Sequence, residues 1–102
     1  MAFVRAAKVG AVPPGAVAEF DVAGKAIAVA NVEGKLYAIN SVCVHEGGPL
    51  GEGALNGNLV MCPWHAWEYD VTTGKIVGNP DTEGVACYPV EVRGDDIFVD
   101  VG

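Results

Sequence analysis

The apolar positions of the chain recur in short runs, not at helical spacing. Three runs rich in valine, alanine, isoleucine and aromatic residues follow one another closely: Val17–Val22, Lys25–Val32 and Lys35–Asn40. The glycine-containing pairs at residues 23–24 and 33–34 separate these runs and are short enough to serve as hairpin turns. The pattern therefore predicts an antiparallel meander of three strands.

A similar pattern returns near the end of the chain. Residues 84–92 are a strand candidate, residues 93–95 a turn, and residues 96–101 the closing strand candidate. Pro89 lies inside the first of these, and because proline donates no ladder hydrogen bond it predicts a sheet edge or a bulge there. We expect a single all-β domain spanning residues 1–102, built as a small antiparallel β-sandwich or barrel.

The stretch from residue 41 to about residue 81 interrupts this scaffold. It holds many of the 14 glycines, both tryptophans, both histidines and two of the three cysteines. Turn signals at residues 56–57 and 72–74 mark hairpins inside it. We interpret it as a small loop-rich subdomain inserted into the β scaffold, where functional side chains tend to collect.

The charge balance narrows the range of partners. Thirteen acidic residues face 6 basic ones, for a net charge of −7. Such a surface disfavours nucleic acid and anionic membrane and favours a basic protein partner. The chain has no long apolar run and no sustained apolar stretch at its start, and three cysteines are too few for a disulfide framework, so we expect a cytoplasmic location.

Both histidines lie close to a cysteine. Cys43 pairs with His45, and Cys62 pairs with His65. Two thiolates and two imidazoles suit zinc or an iron–sulfur centre, and suit calcium or magnesium poorly. Structural zinc sites usually take a cysteine pair from one loop and a histidine pair from another, whereas each loop here supplies one of each. The spacing therefore favours a two-iron cluster, with a structural zinc-binding module as the alternative.

The spacing C-x-H…C-x₂-H resembles the signature of the Rieske family, and the chain is similar to Rieske ferredoxins over nearly its whole length. The resemblance implies the Rieske fold, with a cluster-binding subdomain on an antiparallel scaffold, and one [2Fe-2S] cluster per chain. It also implies that Cys43 and Cys62 hold the inner iron, while His45 and His65 hold the outer iron near the surface.

The resemblance extends to the reduction potential. Replacing two thiolates by neutral imidazoles places Rieske clusters between about −150 and +300 mV. High-potential members carry a loop disulfide and a serine after the second histidine, but those positions here fall in residues 46–48, at Trp64 and at Trp67. Tyr69 matches the tyrosine of the family. With fewer groups to stabilise the reduced cluster, we expect the low-potential end of the range.

A low-potential Rieske ferredoxin is a one-electron carrier. The expected partners are a flavin-dependent NAD(P)H ferredoxin reductase and a terminal oxygenase. Residues 62–70 also resemble the Rieske domain of ring-hydroxylating oxygenase large subunits, but those enzymes need two further histidines for a mononuclear iron, and this chain has only 2 in all. We therefore expect no catalytic residue. The alternative role is the small Rieske subunit of an assimilatory nitrite reductase, bound to that enzyme's large subunit.

Further residues near the motifs carry weaker signals. Cys87 lies outside the ligand pattern and is expected to pack in the core, since free cysteine is among the most buried residue types. Trp67 is expected to pack, whereas Trp64 is expected either to pack or to form part of a docking surface. Pro49 and Leu50 are interpreted as an apolar rim of the site.

Overall fold

The computed structural model describes residues 3–42, 47–64, 67–77 and 84–101. Within these residues ten strands occur, and every pairing between them is antiparallel. The strands are β1 Phe3–Lys8, β2 Val17–Val22, β3 Lys25–Val32, β4 Lys35–Asn40, β5 Ala54–Asn56, β6 Leu59–Met61, β7 Glu68–Asp70, β8 Cys87–Tyr88, β9 Val90–Arg93 and β10 Asp96–Asp100. Short 3₁₀ turns cover Val9–Ala11 and Leu50–Glu52.

In the described part of the chain these strands form three sheets. Their orders are β1-β10-β9, β2-β3-β4-β8 and β5-β6-β7. The third sheet belongs to the insertion, and the first two form the scaffold. The all-β prediction is confirmed. No helix in the described ranges is long and apolar enough to cross a membrane.

The predicted meander is confirmed with the predicted bounds. In both of its hairpins the two central turn residues have positive φ angles: Ala23 53°, Gly24 83°, Glu33 53° and Gly34 96°. Left-handed backbone at both central positions is the geometry of a two-residue hairpin turn whose twist matches that of the strands. The turn chemistry therefore fixes the register of β2, β3 and β4.

Two parts of the scaffold differ from the sequence-based expectation. The strand expected over residues 84–92 is wrong as a single strand, because Pro89 divides it: β8 pairs with β4, and β9 pairs with β10. Both pieces are edge strands of their sheets, as the proline predicted. The sequence pattern also missed β1, which pairs with β10 across a register shift between Arg5 and Ala7.

The four-stranded sheet is the middle layer and is covered on both faces. On β3, Ile27 and Val29 point into one core while Ala28 and Ala30 point into another. The scaffold core contains Val12, Val22, Ile27, Val29, Ala38, Ile97, Val99 and Val101. The insertion core contains Ala28, Ala30, Ile39, Leu50, Val60, Cys62, Tyr69, Val71 and Ile76. This burial on both faces explains why β3 is apolar at nearly every position. It also packs the insertion directly against the scaffold sheet.

Asp70 holds the turn that follows β7. Its Oδ1 accepts hydrogen bonds from the backbone N of Thr72 (2.9 Å), the Oγ1 of Thr72 (2.6 Å) and the Nδ2 of Asn58 (3.1 Å). Partial burial alone would raise the pKa of Asp70, but these hydrogen bonds outweigh it, and the pKa lies below its ordinary value.

Replacing Asp70 should therefore cost stability in a pH-dependent way. A carboxyl group whose pKa is lower in the folded state stabilises the fold above its unfolded pKa of about 3.9, and that contribution disappears as the pH falls through the folded pKa. We expect Asp70→Ala to lower the free energy of unfolding by about 1 kcal/mol near pH 7, with a smaller difference toward pH 3. Urea unfolding between pH 7 and pH 3 measures this, with Asp95→Ala in an exposed turn as the control. A difference that stays constant with pH would contradict the assigned cause.

Candidate metal centre

The four predicted ligands belong to two loops of the insertion. Of these four residues, the structure describes only Cys62. Cys62 directly follows β6 and is 1% exposed. Cys43, His45 and His65 lie outside the described residues, as does the segment 78–83. The described chain does include the stem of each loop, and the stems determine where the ligands leave the scaffold.

The stem of the first loop, which carries Cys43 and His45, is closed by backbone pairing. Val42 and Pro49 form an isolated antiparallel bridge. Beside it, the backbone N of Leu50 donates to the carbonyl oxygen of Ser41 at 2.6 Å. The chain therefore leaves the scaffold and returns to it at neighbouring points.

The stem of the second loop is the β6–β7 hairpin. Met61 pairs with Glu68, and beyond this pair the backbone N of Cys62 donates to the carbonyl oxygen of Trp67 at 2.7 Å. Only four residues, 63–66, separate the two residues of that bond in the sequence, so the second loop is short.

Two glycines, Gly74 and Gly84, allow the chain at residues 84–85 to lie directly against residue 74. The backbone N of Val85 donates to the carbonyl oxygen of Gly74 at 2.8 Å. A Cβ at Gly74 would lie 2.1 Å from the carbonyl oxygen of Val85, and one at Gly84 would lie 1.9 Å from that of Gly74. Both positions therefore require glycine, and residues 74 and 84 lie in direct backbone contact.

The first and second loops meet at Gly48 and Cys62. A Cβ at Gly48 would lie 2.8 Å from the Sγ of Cys62 and 3.1 Å from the Cγ and Cδ2 of Trp64. Backbone thus lies directly against a buried thiol, with no room for a side chain between them. This arrangement fits an iron–sulfur cluster, because such clusters are held by thiolates and tuned by the backbone that surrounds the sulfurs.

The aromatic residues of this region have different environments. Tyr69 is fully buried in the insertion core, which also contains Cys62, and Trp67 packs against that core as predicted. Trp64 is 57% exposed. Of the two expectations for Trp64, the surface position is the one that the structure shows.

Leu50 does not form the expected rim. It is fully buried in the insertion core, because the 3₁₀ turn over Leu50–Glu52 directs its side chain inward. Exposed apolar side chains beside the loop stems are instead those of Val42, Met61, Trp64 and Val77.

The expectation that Cys87 packs in the core is wrong. On β8, Tyr88 packs against the scaffold core, so strand alternation turns Cys87 to the other face at the edge of the sheet, where it is exposed. Partial burial, helped by the negative charge of Asp70, raises the pKa of the Cys87 thiol. Burial and the nearby carboxylate therefore disfavour the thiolate form of Cys87.

Comparisons with known proteins agree with this geometry. The chain matches the Rieske [2Fe-2S] domain family over residues 2–89. It is 34% identical over 90 residues to the ferredoxin component of the naphthalene 1,2-dioxygenase system of Pseudomonas aeruginosa, an alignment that covers 88% of this chain and 86% of the relative.

Solved structures show the same relationship. The ferredoxin of carbazole 1,9a-dioxygenase from Nocardioides aromaticivorans IC177 superposes with a TM-score of 0.88 at 32% identity, covering 97% of each chain. A chain from a complex of reduced oxygenase and oxidized ferredoxin in carbazole 1,9a-dioxygenase superposes with a TM-score of 0.85 at 28% identity, covering 95% of this chain and 91% of that one.

Proposed function

Because the chain belongs to the Rieske [2Fe-2S] domain family, we propose a full ligand set for its cluster and a source for the electrons that it carries. The protein is an electron-transfer component that holds a [2Fe-2S] cluster and passes electrons to a terminal oxygenase. The ligands that we assign are Cys43, His45, Cys62 and His65. The electron donor that we assign is a flavin-dependent NAD(P)H ferredoxin reductase in the cytoplasm.

The observation that carries the ligand assignment is the environment of Cys62. A buried thiol in contact with the backbone of Gly48 stands where the stems of two loops meet, and each of these loops carries one cysteine and one histidine. Cys87 lies on the edge strand β8, outside both loops, so the spacing of the ligand pattern leaves Cys43 as the second thiolate candidate. When bound, the cluster supplies reversible one-electron chemistry.

Charge and shape support a basic protein partner. The chain carries a net charge of −7, which steers a partner of opposite charge toward it. Close to the Cys62 thiol, Met61 and Trp64 present exposed apolar surface of the kind that forms the centre of a contact. The relatives described above are dioxygenase ferredoxins, which favours a terminal oxygenase over a nitrite reductase large subunit as the partner.

We also propose a potential at the low end of the Rieske range. The positions at which high-potential proteins carry the loop disulfide fall in residues 46–48 and at Trp64, none of which is a cysteine, and Trp67 occupies the position of their serine. A redox titration followed by EPR should give the spectrum of a histidine-ligated two-iron cluster, with a midpoint near about −150 mV.

The measured midpoint potential distinguishes a low-potential cluster from a high-potential one. A midpoint potential of about +300 mV would contradict the low-potential proposal.

Stopped-flow mixing tests the assigned partners. A dioxygenase-system oxygenase should oxidise the dithionite-reduced protein, and NADH with a flavin ferredoxin reductase should reduce the oxidised protein. Reduction that succeeds only with a quinol would contradict the assigned partner.

A further inference from the structure

Ser41 is the most extensively bonded residue at the stem of the first loop. Its side chain is fully buried. The Oγ donates to the Oε1 of Glu19 at 2.5 Å and accepts from the backbone N of Gly51 at 3.0 Å. Its backbone N donates to the carbonyl oxygen of Ala26 at 2.9 Å, and its own carbonyl oxygen accepts from Leu50. One small residue thus connects two scaffold strands with the returning end of the loop.

The packing of Gly51 on β2 makes this arrangement possible. A Cβ at Gly51 would lie 2.5 Å from the Cβ of Glu19 and 2.7 Å from its Cα and N. Only glycine lets the 3₁₀ turn approach β2 so closely, and this approach brings the Gly51 amide within reach of the Ser41 hydroxyl. Glu19 is an exposed residue on an edge strand, yet its carboxylate is directed to the stem.

The stem is also connected to the chain just before β8. The backbone N of Asn40 donates to the carbonyl oxygen of Ala86 at 2.9 Å, and the Oδ1 of Asn40 accepts from the backbone N of Val42 at 3.1 Å. In the sequence, Ser41 lies between Asn40 and Val42 and two positions before Cys43. A change at Ser41 would therefore be transmitted to the point where the first ligand leaves the scaffold.

We propose that Ser41 is a positioning residue for the cluster. Together with Glu19 and Gly51 it fixes the stem of the loop that carries Cys43 and His45, and so determines how firmly the cluster is held and how its ligands are oriented. This inference rests on the ligand assignment proposed above. Outer hydrogen bonds of this kind orient the groups that bind a metal, and removing the hydroxyl would leave the Gly51 amide without its partner.

The test compares Ser41→Ala and Glu19→Ala with Glu19→Gln in the cluster-loaded protein. We expect both alanine variants to lose visible absorption about 10-fold faster than the wild type in the presence of a ferrous chelator, with shifted EPR g-values. Glu19→Gln keeps an acceptor oxygen for Ser41 and should bleach at the wild-type rate. Glu91→Ala, which also removes an exposed glutamate carboxylate, from the scaffold strand β9, is the matched control and should also behave like the wild type.

The result that overturns the proposal is a wild-type bleaching rate and EPR spectrum in both alanine variants. Faster bleaching with unchanged g-values and midpoint potential would also overturn it, because Ser41 would then serve only the stability of the fold. Glu19→Ala keeps the test decisive if Ser41→Ala fails to fold, since Glu19 lies at the surface. A wild-type protein without the spectrum of a histidine-ligated cluster would instead refute the ligand assignment.

Discussion

Cys62→Ala is expected to abolish the cluster, whereas Cys87→Ala is expected to leave it intact. Cys62 is buried at the junction of two loop stems, and its Sγ lies against the backbone of Gly48. Cys87 is exposed on an edge strand, and its raised pKa disfavours the thiolate that a metal would need. The two cysteines therefore differ in burial and in their position relative to the two loops.

Iron and acid-labile sulfide analysis of the purified variants, together with visible absorption, measures the outcome. We expect iron in Cys62→Ala to fall to background even after anaerobic reconstitution, and Cys87→Ala to match the wild type. Far-ultraviolet circular dichroism of both variants shows whether the strands persist. A stoichiometric cluster in folded Cys62→Ala, or its loss from folded Cys87→Ala, would contradict the assignment.

Local signals were sufficient to predict the meander, but not the parts of the scaffold that depend on long-range pairing. Alternation and turn residues specify β2, β3 and β4, because each hairpin closes through neighbours in sequence. For β1 the pattern is weak, since only Ala7 of its six residues is fully buried. Its strand character comes from pairing with β10 at the far end of the chain, which no local pattern contains.

For the site, the sequence predicts a ligand pattern but no geometry. Spacing pointed to Cys62, and the structure places that thiol where two loops meet. The same reasoning misplaced Leu50, because residue order does not show that a 3₁₀ turn would direct that side chain inward. It also passed over Ser41, since a small polar residue after a strand is typical of an ordinary turn. Only the distances to Glu19 and Gly51 distinguish it.

Gly48→Ala is expected to remove most of the cluster, although the substitution adds a single methyl group. The φ angle of Gly48 lies outside the left-handed region, so alanine can adopt its backbone and the effect arises from contact alone. The added Cβ would lie 2.8 Å from the Sγ of Cys62, closer than such atoms can approach. The exposed Trp64 ring can move aside, but Cys62 is held by the bond from its backbone N to Trp67 and by the core around it. Because the backbone of Cys62 cannot follow, the contact is relieved only by a rotation of its thiol or a displacement of residue 48, and a misplaced ligand typically costs about 10- to 100-fold in metal affinity.

A double variant identifies which contact is responsible. If the thiol is the obstacle, adding Trp64→Ala to Gly48→Ala should not restore the cluster. If the ring is the obstacle, the double variant should regain wild-type iron content, and the assigned cause would be wrong. Gly10→Ala is the matched control, since it also adds a methyl group at a glycine outside the left-handed region but has no atom within 4 Å of the new Cβ. Iron content and the rate of bleaching by a chelator, measured on all three variants, decide between these outcomes. A wild-type result for Gly48→Ala would contradict the close contact between the two loops.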